Sequence, residues 1–192
     1  QRYIGLCENE IWAKDLEENR EYLLTKTSGI YGTPSWSPNG QQLAFSNVTH
    51  CSMKSDFQGC RDIRTLNFAL AKSEPQDPQI LKSCKGENYS AAVWLDNQRV
   101  AFFEKSSGRE SRVVALNQKT GKLEQLYQTS RFEFDSLSYS QMLNTLAVTQ
   151  HNLELKASML LLDLNDGKSE LIELKPPAGY SSIVSWYFEW HP

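Results

Sequence analysis

No stretch of the 192-residue chain approaches the roughly 20 consecutive apolar residues that a membrane helix needs. The chain also lacks an initiating methionine, and its opening residues do not form a basic-then-apolar leader. We therefore expect a processed product or an excised piece of something longer, tied to a membrane only through a flanking helix that this segment does not contain. Catalytic signatures are missing too. There is no Gly-x-Ser-x-Gly elbow, no His-Glu-x-x-His pair and no glycine-rich phosphate loop. The three histidines are scattered. The expectation is a non-enzymatic protein with no cofactor and no resident metal. Nor is there an excess of positive charge: 20 Lys and Arg stand against 23 Asp and Glu, a net of −3. That argues against nucleic-acid binding, because phosphate recognition leaves a basic surface. Helical periodicity is nearly absent, and only "DLEENREYLL" (15–24) has a helical look.

What the chain does contain is enough apolar material for a packed core, with 40% hydrophobic and 11% aromatic residues, and four cysteines. Cys51 and Cys60 enclose eight polar, glycine-bearing residues, a natural disulfide-closed loop. With no Cys-x-x-Cys pair, a zinc site is disfavoured. Disulfides would place the chain in an oxidising compartment: periplasmic, cell-surface or secreted. Four unrelated free thiols are the bland alternative.

The strongest feature is repetition. Residues 35–45, "SWSPNGQQLAF", align without a gap with "SYSQMLNTLAV" (138–148), and one residue shorter with "VWLDNQRVAF" (93–102). In each, an aromatic residue (Trp36, Trp94, Tyr139) leads a turn and then a short apolar strand containing alanine. A second strand pair follows each copy: "DIRTLNFAL" and "PQILK", "SRVVALN" and "KLEQLYQ", "SMLLLDLN" and "SELIELK". The turns "QKTG" and "NDG" are hairpin signals. Each unit thus has four strands, designated a to d, and recurs every 45 to 58 residues or so. Four strands per roughly 40–50 residues is the signature of a β-propeller blade.

The ends fit the same phase. "QRYIGL" and "EIWAKDLEENREYLLT" read as strands b, c and d without a, and "IVSWYFEWHP" reads as strand a alone, carrying Trp190. The fold class expected is an all-β propeller of four-stranded antiparallel blades. Four blades would span 1–32 plus 183–192, 33–85, 86–131 and 132–182, closed by the N- and C-terminal strands, which removes sheet edges. A fragment of a larger ring, and a plain antiparallel sandwich, are the alternatives.

Within the motif, Pro38 suits the turn and Asn39-Gly40 supplies positive φ. Trp36 is expected to pack between blades as a spacer, with Trp94, Tyr139, Trp186 and Trp190 read in the same way. "PSWSPNGQQLAFSN" resembles the repeat of TolB-type β-propellers, Pro-x-Trp-Ser-Pro-Asp-Gly before an apolar strand, with Asn39 in place of Asp. The resemblance is good in one blade, moderate in two and split across the termini in the fourth. It implies three settings. One is a periplasmic protein-interaction module, another the gating propeller of a prolyl-oligopeptidase-like serine hydrolase, and the third the exported domain of a CadC/ToxR-like membrane-anchored transcription regulator. The last is favoured here as a sensory domain.

In a propeller all b–c and d–a connections emerge on one face. Cys7, Cys51, Cys60 and Cys84 all fall there, which makes Cys51–Cys60 the first pairing and Cys7–Cys84 the second. Cys7–Cys51 with Cys60–Cys84, and Cys7–Cys60 with Cys51–Cys84, stay open. His50 and His151 share that face and read as ordinary loop histidines rather than a metal pair; His191 reads as neutral. Loops on that face are expected to bind a protein partner or a small ligand, and a homodimer is allowed. Asn47-Val48-Thr49 and Asn88-Tyr89-Ser90 match the glycosylation pattern, which in a eukaryotic secretory protein would mark surface loops. A carbohydrate-processing propeller would need carboxylates near the ring axis, whereas the acidic residues fall mainly in turns.

Overall fold

The computed structural model describes residues 9–27, 29–48, 61–85, 87–106, 110–152, 154 and 156–174. These form successive antiparallel sheets in chain order. The first is the pair β1 (Trp12–Asp15) and β2 (Arg20–Leu23). The second has an innermost strand in two halves, β3 (Ile30–Tyr31) and β4 (Ser35–Trp36), both paired to β5 (Gln42–Val48), which pairs β6 (Arg61–Asn67) and then β7 (Gln79–Lys82). The third runs β8 (Asn88–Trp94), β9 (Arg99–Lys105), β10 (Ser111–Asn117) and β11 (Leu123–Thr129). The fourth runs β12 (Phe132–Ser140), β13 (Thr145–Asn152), β14 (Ala157–Asp163) and β15 (Ser169–Glu173). This is the all-β propeller of four-stranded antiparallel blades expected from the repeats. β1 and β2 stand as strands c and d of the first blade, with "DLEENR" as the turn between them.

Among the described residues, three cores hold the blades together, one at each successive junction. The first joins Ile11, Tyr22 and Leu24 to Leu43, Phe45 and Leu66. The second joins Ala44 and Ile63 to Tyr89, Trp94, Val100 and Phe102. The third joins Ala101, Phe103 and Val113 to Leu137, Leu146 and Leu160. Strand periodicity explains the division, since successive side chains point to opposite faces. Along β9, Val100 and Phe102 enter the second core while Ala101 and Phe103 enter the third. Middle strands are therefore apolar on both faces. Outer strands β11 and β15 have one covered face at most and read as mixed.

The hairpin turns repeat one device. Each strand c ends on an Asx residue whose side chain accepts backbone N–H groups of the turn: Asp15 from Glu17 and Glu18, Asn117 from Lys119 and Thr120, Asp163 from Asn165. Four residues on stands one with positive φ: Asn19, Gly121 and Gly167. The second blade departs from this. Asn67 is again the last residue of strand c, but its Oδ1 caps Leu70 N at 3.1 Å and starts a short helix, α1 (Phe68–Ser73). The expectation that "NFAL" continues the strand is corrected here: the strand ends at Asn67 and residues 68–73 are helical. The α1–β7 connection then reaches the first blade. Lys72 Nζ lies 3.4 Å from Asp15 and 4.7 Å above the Tyr22 ring, and Gln76 bridges backbone to backbone with Leu24 and Lys26.

At "SPNG" the positive φ belongs to Gly40 alone, at +68°; Asn39 does not share it. Gly40 N donates to Ser37 O at 2.8 Å, with Pro38 second in the turn, the arrangement of a type I turn followed by a left-handed residue. In the fourth blade Asn144, at +48°, takes the glycine's part. Among the described residues, no helix is long and apolar enough to cross a membrane.

Candidate functional site

The innermost strands of the second, third and fourth blades converge on a cavity of about 680 Å3. Each of these strands is broken at the same depth. In the second blade the break is Gly32–Pro34, between β3 and β4. A side chain at Gly32 would collide with Ser46 Oγ. In β8 the register slips between Ser90 and Val93, and Ala91 sits at φ +48°. In β12 it slips between Phe134 and Ser136, around Asp135. Bulges bend a strand and re-aim its side chains. Here they turn Ser90, Ala91, Asp135 and Ser136 onto the cavity wall.

The two ends of the cavity differ. Towards the a–b turns stand Trp36, Pro38, Tyr139 and Gln141. Towards the b–c and d–a connections stand Arg61 and Asp135. Asp135 is held from behind by His151, whose Nδ1 lies 3.0 Å from both carboxylate oxygens. Beside them Lys105 Nζ bonds Glu133 at 2.8 Å, tying strand b of the third blade to strand a of the fourth. That bond is the main reason the Glu133 carboxyl is held below its ordinary range, with burial opposing it and the nearby Lys105 and His151 charges adding to it.

The three repeat aromatics occupy equivalent positions, opposite Leu43, Val100 and Leu146, but serve differently. Trp94 is buried in the second core. Tyr139 donates its hydroxyl to Asn144 Oδ1 at 2.7 Å, and burial, the largest influence on it, pushes its pKa up. Trp36 is 48% exposed and set edge-on to Phe68 of α1 at 4.8 Å. The spacer role expected for Trp36 is thus corrected: its ring stands half-exposed against the helix and lines the cavity instead of being buried between blades. Pro38 and Gly40 sit in the adjoining turn. Trp190, Trp186, His50, His191, Cys7, Cys51 and Cys60 lie outside the described residues.

Cys84 falls in the d–a connection between β7 and β8. Its backbone N donates to Asp62 Oδ1 at 2.9 Å, and Asp62 also receives Arg64 at 3.2 Å. Among the described residues no cysteine is free; the pairings Cys51–Cys60 and Cys7–Cys84 stand as proposals. The described residues contain no group of three or more His, Cys, Asp or Glu arranged for a metal ion. Asn47 is not a surface-loop acceptor: it is 6% exposed inside β5. Asn88 is exposed at the start of β8.

Arg61 and Asp135 escaped the sequence reading. Asp135 did leave a trace. In "FEFDSLSYS" the apolar positions Phe132 and Phe134 are followed by Leu137 and Tyr139, and the change of phase marks the bulge.

No protein-family model matches the chain, and no curated protein sequence matches it. Solved structures do resemble it. TolB from Acinetobacter baumannii superposes with a TM-score of 0.65 at 16% identity, over 86% of this chain and 38% of that one. The fold is a TolB-like β-propeller. The same fold recurs in a puromycin-hydrolyzing peptidase of Mycobacterium tuberculosis (TM-score 0.60, 18% identity, 82% of this chain and 24% of that one). It recurs again in the β-propeller domain of the Trilobed protease from Pyrococcus furiosus, described as having an open velcro topology (TM-score 0.52, 13% identity, 82% and 51%). At these identities the likeness is one of fold. The chain spans between about a quarter and a half of the length of these three proteins.

Proposed function

We propose that this TolB-like propeller is a non-enzymatic binding module working outside the cytoplasm. In the finer form of the reading it is the periplasmic sensor part of a membrane-anchored winged-helix transcription regulator. The observation that carries the binding role is the axial cavity. Its broken inner strands present serine hydroxyls, aromatic edges and the Asp135 carboxylate to one space that Arg61 of β6 also lines, a mostly preformed concavity with a few convergent polar groups. The regulator setting rests on the repeat's resemblance alone, which is an argument by analogy. In this reading a protein partner or small ligand engages the loop face, alters how the blades pack, and the change passes to a membrane helix preceding the domain. A second reading, the gating propeller of a serine hydrolase, is favoured by the similarity to peptidase propellers. A free TolB-like interaction module is the third.

The parent gene and its product supply the test. A basic winged-helix segment and one apolar stretch of about 20 residues upstream would support the regulator, and a Gly-x-Ser-x-Gly domain downstream would move the assignment to the gate. In cells, deleting the propeller from the full-length protein is expected to abolish the stimulus-dependent change at its target promoter. Unchanged promoter activity, with and without stimulus, would sink the sensor reading.

A further inference from the structure

We propose that the axial cavity binds a short zwitterionic peptide, Arg61 taking the carboxylate and Asp135 the ammonium group. The inference rests on reading that cavity as a binding site. Both side chains line the one cavity. They carry opposite charges, yet neither neutralises the other: Asp135 is engaged by His151, and the Arg61 guanidinium makes no ion pair with a described residue, its backbone N alone donating to Asn88 Oδ1. A carboxylate has about four acceptor positions, so the His151 contact leaves Asp135 able to accept an ammonium group from the cavity side. His151 also fixes the direction in which Asp135 points, and the bulge at Asp135 sets its depth. Arg61 is the first residue of β6 and directly opposes Val48 at the end of β5, so its backbone is anchored on paired strands.

The wall between the two charges suits a peptide backbone. Ser90 and Ser138 offer hydroxyls, and Ala92 and Val93 offer small apolar surface. Among the described residues, Arg61 and Asp135 are the charged groups that line the cavity, and a ligand bearing one charge of each sign answers both. A peptide with both ends free satisfies both. The volume, about 680 Å3, falls within the roughly 300–1,000 Å3 of pockets that enclose small molecules.

The experiment is calorimetric titration of the 192-residue chain with trialanine, N-acetyl-trialanine and trialanine amide. Trialanine is expected to bind, and blocking either end to weaken it about tenfold, the worth of one charge-assisted hydrogen bond. In Arg61→Gln, trialanine should bind about tenfold more weakly and no better than its amide. In Asp135→Asn it should bind no better than its N-acetyl form. Circular dichroism of both variants separates lost binding from lost fold, and Arg61, being exposed, provides the variant least able to disturb folding. Absence of trialanine binding, or equal affinity for the three peptides, overturns the proposal. So does equal affinity for trialanine and its N-acetyl form alone, which would make the cavity a reader of protein C-termini. Because this titration uses the isolated chain, its failure leaves the promoter experiment standing, and failure of the promoter experiment leaves the peptide site standing.

Discussion

Tyr89 brings together packing and ionisation in one residue. It is 1% exposed, lies edge-on to Phe102 at 5.5 Å, and its hydroxyl reaches Glu87 only at 3.4 Å. Burial, first, and the charges of Glu87 and Glu104, next, push its pKa well above the ordinary tyrosine value. In the unfolded chain the phenol titrates near pH 10, as free tyrosine does. Above that pH the unfolded state sheds a proton that the folded state keeps, so the unfolded state binds fewer protons and stability falls as pH rises. Its contribution is complete below about pH 10 and is lost at a limiting slope of about 1.4 kcal/mol per pH unit for the single group. Tyr89→Phe is expected to change stability little at neutral pH, because the hydroxyl bond is long, and to flatten the alkaline decline by up to that slope. Urea unfolding of both proteins at several pH values between about 9 and 11 checks this. Identical pH profiles would mean that Tyr89 titrates in the folded protein as it does in the unfolded one.

At the scale of elements, one Asx position at the end of strand c serves four blades and gives two structures. After Asp15, Asn117 and Asp163 comes a residue that tolerates positive φ, and a tight turn closes. After Asn67 comes Phe-Ala-Leu-Ala, with Ala71 where the others have Asn19, Gly121 and Gly167. Alanine has no advantage at positive φ but is a strong helix former, so the same cap starts a helix. That helix carries Lys72 to Asp15 and Tyr22 of the first blade. Asn67→Ala removes the cap and is expected to cost about 1 kcal/mol in urea unfolding, with Asn67→Asp retaining most of it. The loss should also speed amide hydrogen exchange in β2, whose blade the helix supports. Unchanged exchange in β2 would show that α1 does not brace the first blade. The turns were legible in the sequence because Gly and Asn announce them. The helix was not, since six residues are too few for a helical period to stand out against an alternation that Leu66, Phe68 and Leu70 happen to continue.

At the scale of the molecule, the repeat "aromatic–turn–apolar strand" specified the fold because each copy must bury both faces of its middle strands against its neighbours. That alternation is what divides Val100 and Phe102 from Ala101 and Phe103; the apolar strand itself was readable without a structure, its two faces were not. The site was less legible. Its charged groups, Arg61 and Asp135, belong to different blades and meet only once the inner strands converge, and only the phase change in β12 hinted at the second. What the described blades do not supply is an inner strand for the first, where β1 and β2 stand as strands c and d. We propose that residues 183–192 provide it, so that the blades run 1–32 plus 183–192, 33–85, 86–131 and 132–182. A blade without its inner strand exposes a row of unpaired backbone groups on one side and an uncovered face of the fourth blade on the other, both routes to association. Deleting 183–192 is therefore expected to raise the apparent size on gel filtration relative to the intact chain and to lower the urea midpoint. A truncated chain with both size and midpoint unchanged would show that the first blade is completed by something else.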